Sequence, residues 1–474
     1  PGLVESLGFL LPIYEDQSPG RRTMQVGLSL YDIMARERQH HYYDAAEFIQ
    51  MVPLVNPNGL KGGFHFLDAQ VDDARLVLRL IHESVASGAC ALNYTAVRQI
   101  DRDDDRHVVG VELEDVETHE LKNVSSPAVI NATGSWAEKL HPSPDPQRHL
   151  RPLRGSHLLF EAAAIPLNEG FCFMHPRDNR PVFMIPWEGA VLAGTTDLDH
   201  PQDLSIEPNI AEAEVTYLME GIQAIFPSLD ISLADCLCAF AGIRPVLSEG
   251  KLKPSEESRE HVVWVDHGLV TVTGGKLTTF RRLALDALNA AKTYLPSDKM
   301  ADRTAPVFSK VQQLPDLEYG LSVKTRRRLY GRYGSAADTI VRTAKADDLK
   351  TIKGTHTLWA ELPYVAENEQ IRHLSDLMLR RVRIGLLTPH GGKAYLKRIQ
   401  KLCKKVLPWN RRRWQKEINL YQVQWNHAHA LPIRRAEVLA QRKIISFKTL
   451  GAVLSSAYYR FASGKKRKKS SGIT

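Results

Sequence analysis

The densest chemical signal in this 474-residue sequence is the run Gly274, Gly275, Lys276, Leu277, Thr278 and Thr279. It follows a β-like run and leads into an arginine-bearing helical one. Backbone N–H groups left free at a helix start favour anions and partial negative charge. Thr278 and Thr279 add hydroxyl donors and Lys276 adds a positive charge, so the stretch suits electronegative atoms. The first glycine of a Walker phosphate loop is absent, which removes that reading. Arg244 lies in the otherwise apolar "AFAGIRPVL". A guanidinium there needs a partner, either an internal carboxylate or a bidentate oxyanion of a ligand. His157 sits between a basic turn and a strand in "RPLRGSHLLF", as a structural histidine or a proton acceptor. Gly194-Thr195-Thr196-Asp197 ends another strand, as a capped turn or a site wall. Ala132-Thr133-Gly134, after the run "AVIN", lets a backbone approach a bound group closely.

These residues need a scaffold. A helix is expected from about 72 to 88, capped by Asp72 and Asp73, with Leu76, Leu78, Leu80, Ile81 and Val85 as its apolar stripe and Gly88 as its stop. Four strands are expected between 90 and 134. From 151 to 266 short alternating strands dominate, interrupted by one helix near 210–225, which predicts an antiparallel sheet unit. After 279 a helix runs to about 294, then a polar linker, then a region of helix formers over 316–430. A second Gly-Gly-Lys at 391–393 has no strand before it and reads as a plain loop.

Composition bounds the class. Hydrophobic content of 43% and charged content of 24% are those of a globular chain. Five scattered cysteines argue for reduced thiols in a cytosol-like compartment; Cys236 and Cys238 read as alternating strand residues. The net charge of +8 is concentrated in 441–474, which is rich in Lys and Arg and holds no Asp or Glu. A body near neutrality does not fit a nucleic-acid binder. Within the tail, Phe447, Leu450, Leu454, Tyr458 and Phe461 fall on one helical face ahead of the basic run 465–469, the pattern of a membrane-surface anchor.

Taken in order, "VGLSLYDIMA" (26–35), "GGFHFLDAQVDDARLVL" (62–78), "VINATGSWA", "LRGSHLLF", "VFMIPWEGAVLAGTTD", "AGIRPVL" and "GGKLTTFRRLALDAL" (274–288) resemble the FAD-dependent, quinone-linked glycerol-3-phosphate dehydrogenase family. That family belongs to the D-amino-acid-oxidase-like flavoproteins. "HLSDLMLRRVRIGLL" (373–387) is similar to the family's C-terminal helical domain. The resemblance implies an α/β fold, with an FAD-binding Rossmann-like domain, an inserted antiparallel β-sheet substrate domain and a C-terminal α-helical domain. The implied division is 1–66 and 151–266 for the substrate region, 67–150 and 267–300 for the FAD-binding segments, 301–432 for the helical domain and 433–474 for the tail. Ala132, Gly134, Trp136, Gly274, Gly275, Leu277, Thr278 and Thr279 are then expected at FAD. Arg244, Lys276 and Arg259 are expected at the substrate phosphate, and His157, Thr195 and Thr196 near the substrate hydroxyl. His157 is the candidate base, with Arg244 and Lys276 as catalytic cations.

The implied reaction is oxidation of glycerol 3-phosphate to dihydroxyacetone phosphate, with electrons passed to quinone. The implied setting is cytoplasmic, peripheral on the inner membrane face, with a homodimer as the assembly. One departure stands out: no G-x-G-x-x-G turn occurs in the sequence. By the family pattern the first βαβ unit, roughly 80 residues with an Arg-Tyr substrate contact, is expected ahead of Pro1, and weak FAD binding is expected without it. The competing expectations are a non-catalytic fragment or interaction protein that keeps the fold, and an oxidase or dehydrogenase of another hydroxy or amino acid.

Overall fold

The computed structural model describes residues 2–36, 39–141, 149–248, 257, 260–295, 302, 304–309 and 320–433. Strands β1 (Val4–Tyr14), β2 (His41–Asp44), β3 (Leu60–Val71), β8 (Leu150–Glu161), β9 (Gly170–Met174), β10 (Pro181–Trp187), β11 (Ala190–Gly194), β12 (Leu198–Asp199) and β13 (Cys236–Leu247) form one nine-stranded sheet. Its order is β12-β8-β11-β10-β9-β1-β3-β2, and β13 also pairs with β8. Every pairing is antiparallel except β1 with β9.

Strand alternation gives this sheet two different faces. On one face Phe160, Phe171, Phe173 and Met184 pack with Val215, Leu218 and Ile222 of helix α5 (Glu212–Ile225) and Phe48 of α2 (Ala45–Met51). On the other, Leu11, Ile13, Phe64 and Cys172 carry Leu28 of α1 (Arg21–Ala35). The register extends this second face through Cys172, Phe183 and Gly194 to His157. The hydrophobic pattern that buries the first face therefore aims His157 away from it.

Strands β4 (Thr95–Arg102), β5 (Val108–Asp115) and β6 (Leu121–Ser125) make an antiparallel sheet of their own. A third sheet has the order β14-β15-β7, from β14 (His261–Asp266), β15 (Leu269–Gly274) and β7 (Val129–Asn131). Here β15 runs parallel to β7 and antiparallel to β14. The strand expected to close the antiparallel unit at 266 thus pairs in the sheet of the glycine loop instead. Helix α6 (Phe280–Ala291) seats Ala287 and Ala291 on Val270 of β15.

Helix α3 (Asp73–Ala86) begins where expected, with the Asp72 side chain accepting the Arg75 N–H at 3.2 Å. Its buried face differs from the expected stripe. Arg75, Leu76 and Arg79 are buried, whereas Ile81 and Val85 are exposed. The reason is electrostatic. Arg75 makes a bidentate pair with Glu369 at 2.9 Å, both side chains at 0% exposure. Arg79 donates to the Tyr330 and Gly331 carbonyls of α7 (Val323–Tyr333). Beside them Asp72 pairs with Arg332 and Arg383, and Glu188 of the β10–β11 turn pairs with Arg328 and Arg332. Burial pushes the Glu188 carboxyl up, but Arg332 and Arg328 outweigh it and hold it well below the usual range.

This network ties α3, the large sheet and the C-terminal helices into one unit. Breaking a buried pair by removing one partner leaves an uncompensated charge. Glu369→Ala is therefore expected to cost about 3–5 kcal/mol in chemical denaturation. The helical core itself gathers Leu329, Tyr333, Ile340, Val365, Leu374, Ile399 and Trp425, and it packs on Leu159, Leu237 and Cys238 of the sheet. Gly391 and Gly392, both with positive φ, form a buried turn there, with Gly391 against Trp425. All five cysteines are free thiols.

Candidate active site

Because β7 and β15 are parallel, their C-terminal ends open on the same edge, the place where α/β sheets bind ligands. The loop after β7 is fixed by Asn131. Its Nδ2 donates at 2.9 Å to the carbonyl of Ala137, the first residue of α4 (Ala137–Leu140), and at 3.1 Å to Thr271 Oγ1, while its Oδ1 accepts from Thr133. Ala132 and Trp136 remain exposed. Gly134 has φ +59°, and no described atom lies within 4 Å of where its Cβ would stand. The loop after β15 turns on Gly274 (φ +77°) and Gly275 (φ +76°), and a Cβ at Gly274 would lie 2.6 Å from the Glu260 carbonyl.

The Lys276 carbonyl accepts from the N–H and the hydroxyl of Thr279, closing a 3₁₀ turn over Leu277–Thr279 that feeds α6. The Thr279 hydroxyl is thus committed to its own turn, while the Lys276 and Thr278 side chains are exposed. Thr273 Oγ1 donates to the Gly134 carbonyl at 3.3 Å and joins the two loops. Two glycine turns at a shared strand edge, ahead of a twelve-residue helix, suit a flat cofactor approached by backbone.

The second wall comes from the large sheet. The His157 ring stacks on Phe240 of β13 at 4.9 Å and 13°. Burial, then the charge of Arg244, lowers its pKa to about 4, so the imidazole is neutral near pH 7. Its Nδ1 is buried without a hydrogen-bond partner among the described residues. Gly194 lies opposite, where a Cβ would stand 2.5 Å from the ring.

Arg244 has the internal partner its surroundings demand: Asp197 at 3.1 Å, with Thr195 Oγ1 at 3.2 Å. Its side chain still keeps 38% exposure, and Asp197 is shared with Arg180 at 2.9 Å. Two guanidiniums on one carboxylate leave a net positive charge facing outward. The Arg244 head lies over Gly155, where a Cβ would stand 2.7 Å from Nη2. Gly155 is two residues from His157, roughly 7 Å along an extended strand.

The structure therefore brings His157, Thr195 and Arg244 together. Thr196 departs from its expected role. It is buried, its hydroxyl donates to Glu214 at 2.6 Å and accepts from the Ser156 N–H at 2.9 Å, so it braces the wall from behind. Glu214, at the start of α5, also accepts from Ser156 Oγ and pairs with Arg154. Arg259 lies outside the described residues. Sequence reasoning placed Asp197 in a candidate site wall without a role of its own, and it missed Arg180, which had no local signal. The two walls meet where β13 packs against the 134–136 turn and β15. A cavity of about 280 Å³ opens beside that contact, lined by Ser135, Glu138 and Lys139 on one side and Leu150, Pro152 and Pro245 on the other; alternation puts these sheet residues on the face opposite His157 and Arg244.

Comparison with known proteins gives this geometry its context. Residues 7–281 match the family model described as FAD dependent oxidoreductase. Residues 287–414 match the C-terminal domain of alpha-glycerophosphate oxidase. The aerobic glycerol-3-phosphate dehydrogenase of Bacillus subtilis is 32% identical over 400 residues, covering 78% of this chain and 71% of that protein. The chain belongs to the FAD-dependent glycerol-3-phosphate dehydrogenase family. The Staphylococcus saprophyticus enzyme of the same name is 29% identical over 414 residues, covering 82% of this chain and 72% of its own. The structure of the Bacillus halodurans glycerol-3-phosphate dehydrogenase, complexed with FAD, shares the fold, with a TM-score of 0.72 at 24% identity over 90% of this chain and 83% of that one.

This member of the family is thus an oxidoreductase whose cofactor is FAD. The resemblance read from seven ordered motifs and the α/β architecture with its helical C-terminal region both stand.

Proposed function

We propose that this chain oxidises sn-glycerol 3-phosphate to dihydroxyacetone phosphate and passes the electrons on to a quinone. FAD, when bound at the 132–136 and 274–279 loops, supplies the acceptor for the hydride that leaves C2. The chain's own residues do the rest. Arg244, with Lys276 as a second cation, holds the phosphate. Thr195 orients Arg244 by accepting from its Nη2. His157 takes the proton of the C2 hydroxyl, and loss of that proton with the hydride leaves the ketone. Expulsion of water strengthens each of these contacts.

One observation carries the reading: the Arg244 head lies over Gly155, two residues along β8 from His157, so a guanidinium and a neutral imidazole face the same space from neighbouring strands, roughly 7 Å of strand apart. The net positive charge of the Arg180–Asp197–Arg244 group favours a dianion over a single carboxylate. Steady-state turnover with a quinone analogue tests this. Glycerol 3-phosphate should be consumed, and glycerol, glycine and proline should not. Turnover of an amino acid in place of the phosphate ester would move the chain to the amino-acid branch of the fold.

We also infer contact with a membrane surface through 441–474, which lies outside the described residues. Its apolar residues at helical spacing and its basic run are the sequence pattern of an anchor on anionic lipid, and a membrane-dissolved quinone would be reached from such a surface. Among the described residues no helix is long and apolar enough to cross a membrane. Removing 441–474 is expected to abolish co-sedimentation with anionic vesicles; unchanged binding would exclude the tail as anchor. The domain division given above, with β14 moved from the substrate region to the FAD-binding segment, and a homodimer are part of this proposal.

A further inference from the structure

Three glycines, Gly155, Gly194 and Gly242, stand on the site face of the large sheet, and they are not equivalent. Two are covered: a Cβ at Gly155 would meet Arg244 and Thr195, and one at Gly194 would meet His157. Each is glycine because a site side chain lies flat on it. Gly242 lies directly opposite Gly155 in the β8–β13 register, two residues from Phe240 on one side and two from Arg244 on the other. It is exposed, and no described atom lies within 4 Å of where its Cβ would stand. Its φ is not in the positive region, so the backbone does not call for glycine. Glycine in a strand costs stability, and its common uses are a bulge or the close approach of a ligand. The register shift in β13 falls between Cys236 and Cys238, not here.

We infer that Gly242 is the bare floor between Arg244 and His157 on which the carbon skeleton of the phosphate ester lies, and that it sets which esters fit. This rests on the reading of Arg244 as the phosphate end and His157 as the hydroxyl end. A side chain at this position would leave the anion site intact and fill the space beside it.

The test compares Gly242→Ala and Gly242→Val with the unaltered full chain supplied with FAD. Calorimetry gives Kd for inorganic phosphate and for sn-glycerol 3-phosphate, and thermal unfolding gives Tm. The expected result is an unchanged or higher Tm and a phosphate Kd within about 2-fold, with glycerol 3-phosphate weakened about 10-fold by alanine and further by valine. If valine lowers Tm, the alanine variant decides. Equal glycerol 3-phosphate affinity in the folded variants would overturn the inference. So would parallel weakening of both ligands, which would mean a displaced Arg244 rather than a filled floor. An unaltered chain that binds phosphate but not its glycerol ester would refute the substrate reading itself, and the inference with it.

Discussion

Replacing Arg244 with alanine is expected to raise KM for glycerol 3-phosphate roughly 10²- to 10³-fold, the equivalent of losing about 3–4 kcal/mol of charge-paired binding. Gly155 lets the guanidinium lie over β8, and Thr195 and Asp197 fix its plane. Asp197 already satisfies one edge, and the exposed remainder is free to take a second oxyanion. Removing the head leaves Asp197 paired with Arg180 at 2.9 Å, so no carboxylate is stranded and the fold is expected to hold. The loss should therefore appear in KM before kcat, with Tm unchanged. Arg244→Lys should recover only part of the affinity, because an ammonium cannot reproduce the planar fork. Added guanidinium ion should restore part of the activity of the alanine variant. A KM unchanged in the alanine variant would move the phosphate elsewhere.

His157→Ala is expected to lower kcat by about 10²- to 10⁴-fold with a smaller effect on KM, the usual range for a positioned base. The pH profile gives the sharper test. Burial is the larger cause of the depressed pKa and the Arg244 charge the second, and together they bring it to about 4. In the free protein the base is therefore neutral down to about pH 4, and the acid limb of kcat/KM should lie there. A phosphate dianion on Arg244 removes the second cause, which favours the imidazolium and raises the pKa of His157. The acid limb of kcat should therefore sit at higher pH than that of kcat/KM, and Arg244→Ala should shift the free-protein limb in the same direction. Binding of the anion thus strengthens the base that the reaction uses. Stability follows the same titration. Between the ordinary histidine range and about pH 4 the unfolded chain takes up a proton that folded His157 does not, so folding stability falls as pH drops through that window. Coincident limbs for kcat and kcat/KM would contradict the coupling.

The parts of this molecule that a sequence shows are those set by local rules. The strand, two glycines and helix of 270–291 were legible because turn geometry and helix-start chemistry are written in consecutive residues. Asp72 as a cap and α5 as a helix follow from the same kind of rule. Long-range partners were not legible. Periodicity assigned Ile81 and Val85 to the core, yet α3 turns Arg75 and Arg79 inward, because Glu369 lies 294 positions away and nothing near α3 announces it. Thr195 and Thr196 look equivalent in sequence. In the turn after β11 one accepts from Arg244 and the other donates to Glu214, a difference that depends on where β13 and α5 dock. The stacking of Phe240 on His157 is likewise a product of register, since the two lie on strands 83 residues apart whose pairing no local motif encodes.

The most direct test is anaerobic reduction of the flavin. The chain is incubated with excess FAD, and the visible flavin band is recorded before and after addition of sn-glycerol 3-phosphate. The band is expected to bleach with glycerol 3-phosphate, to stay with glycerol or inorganic phosphate alone, and to bleach far more slowly in His157→Ala. A band unchanged by glycerol 3-phosphate would contradict the proposed function.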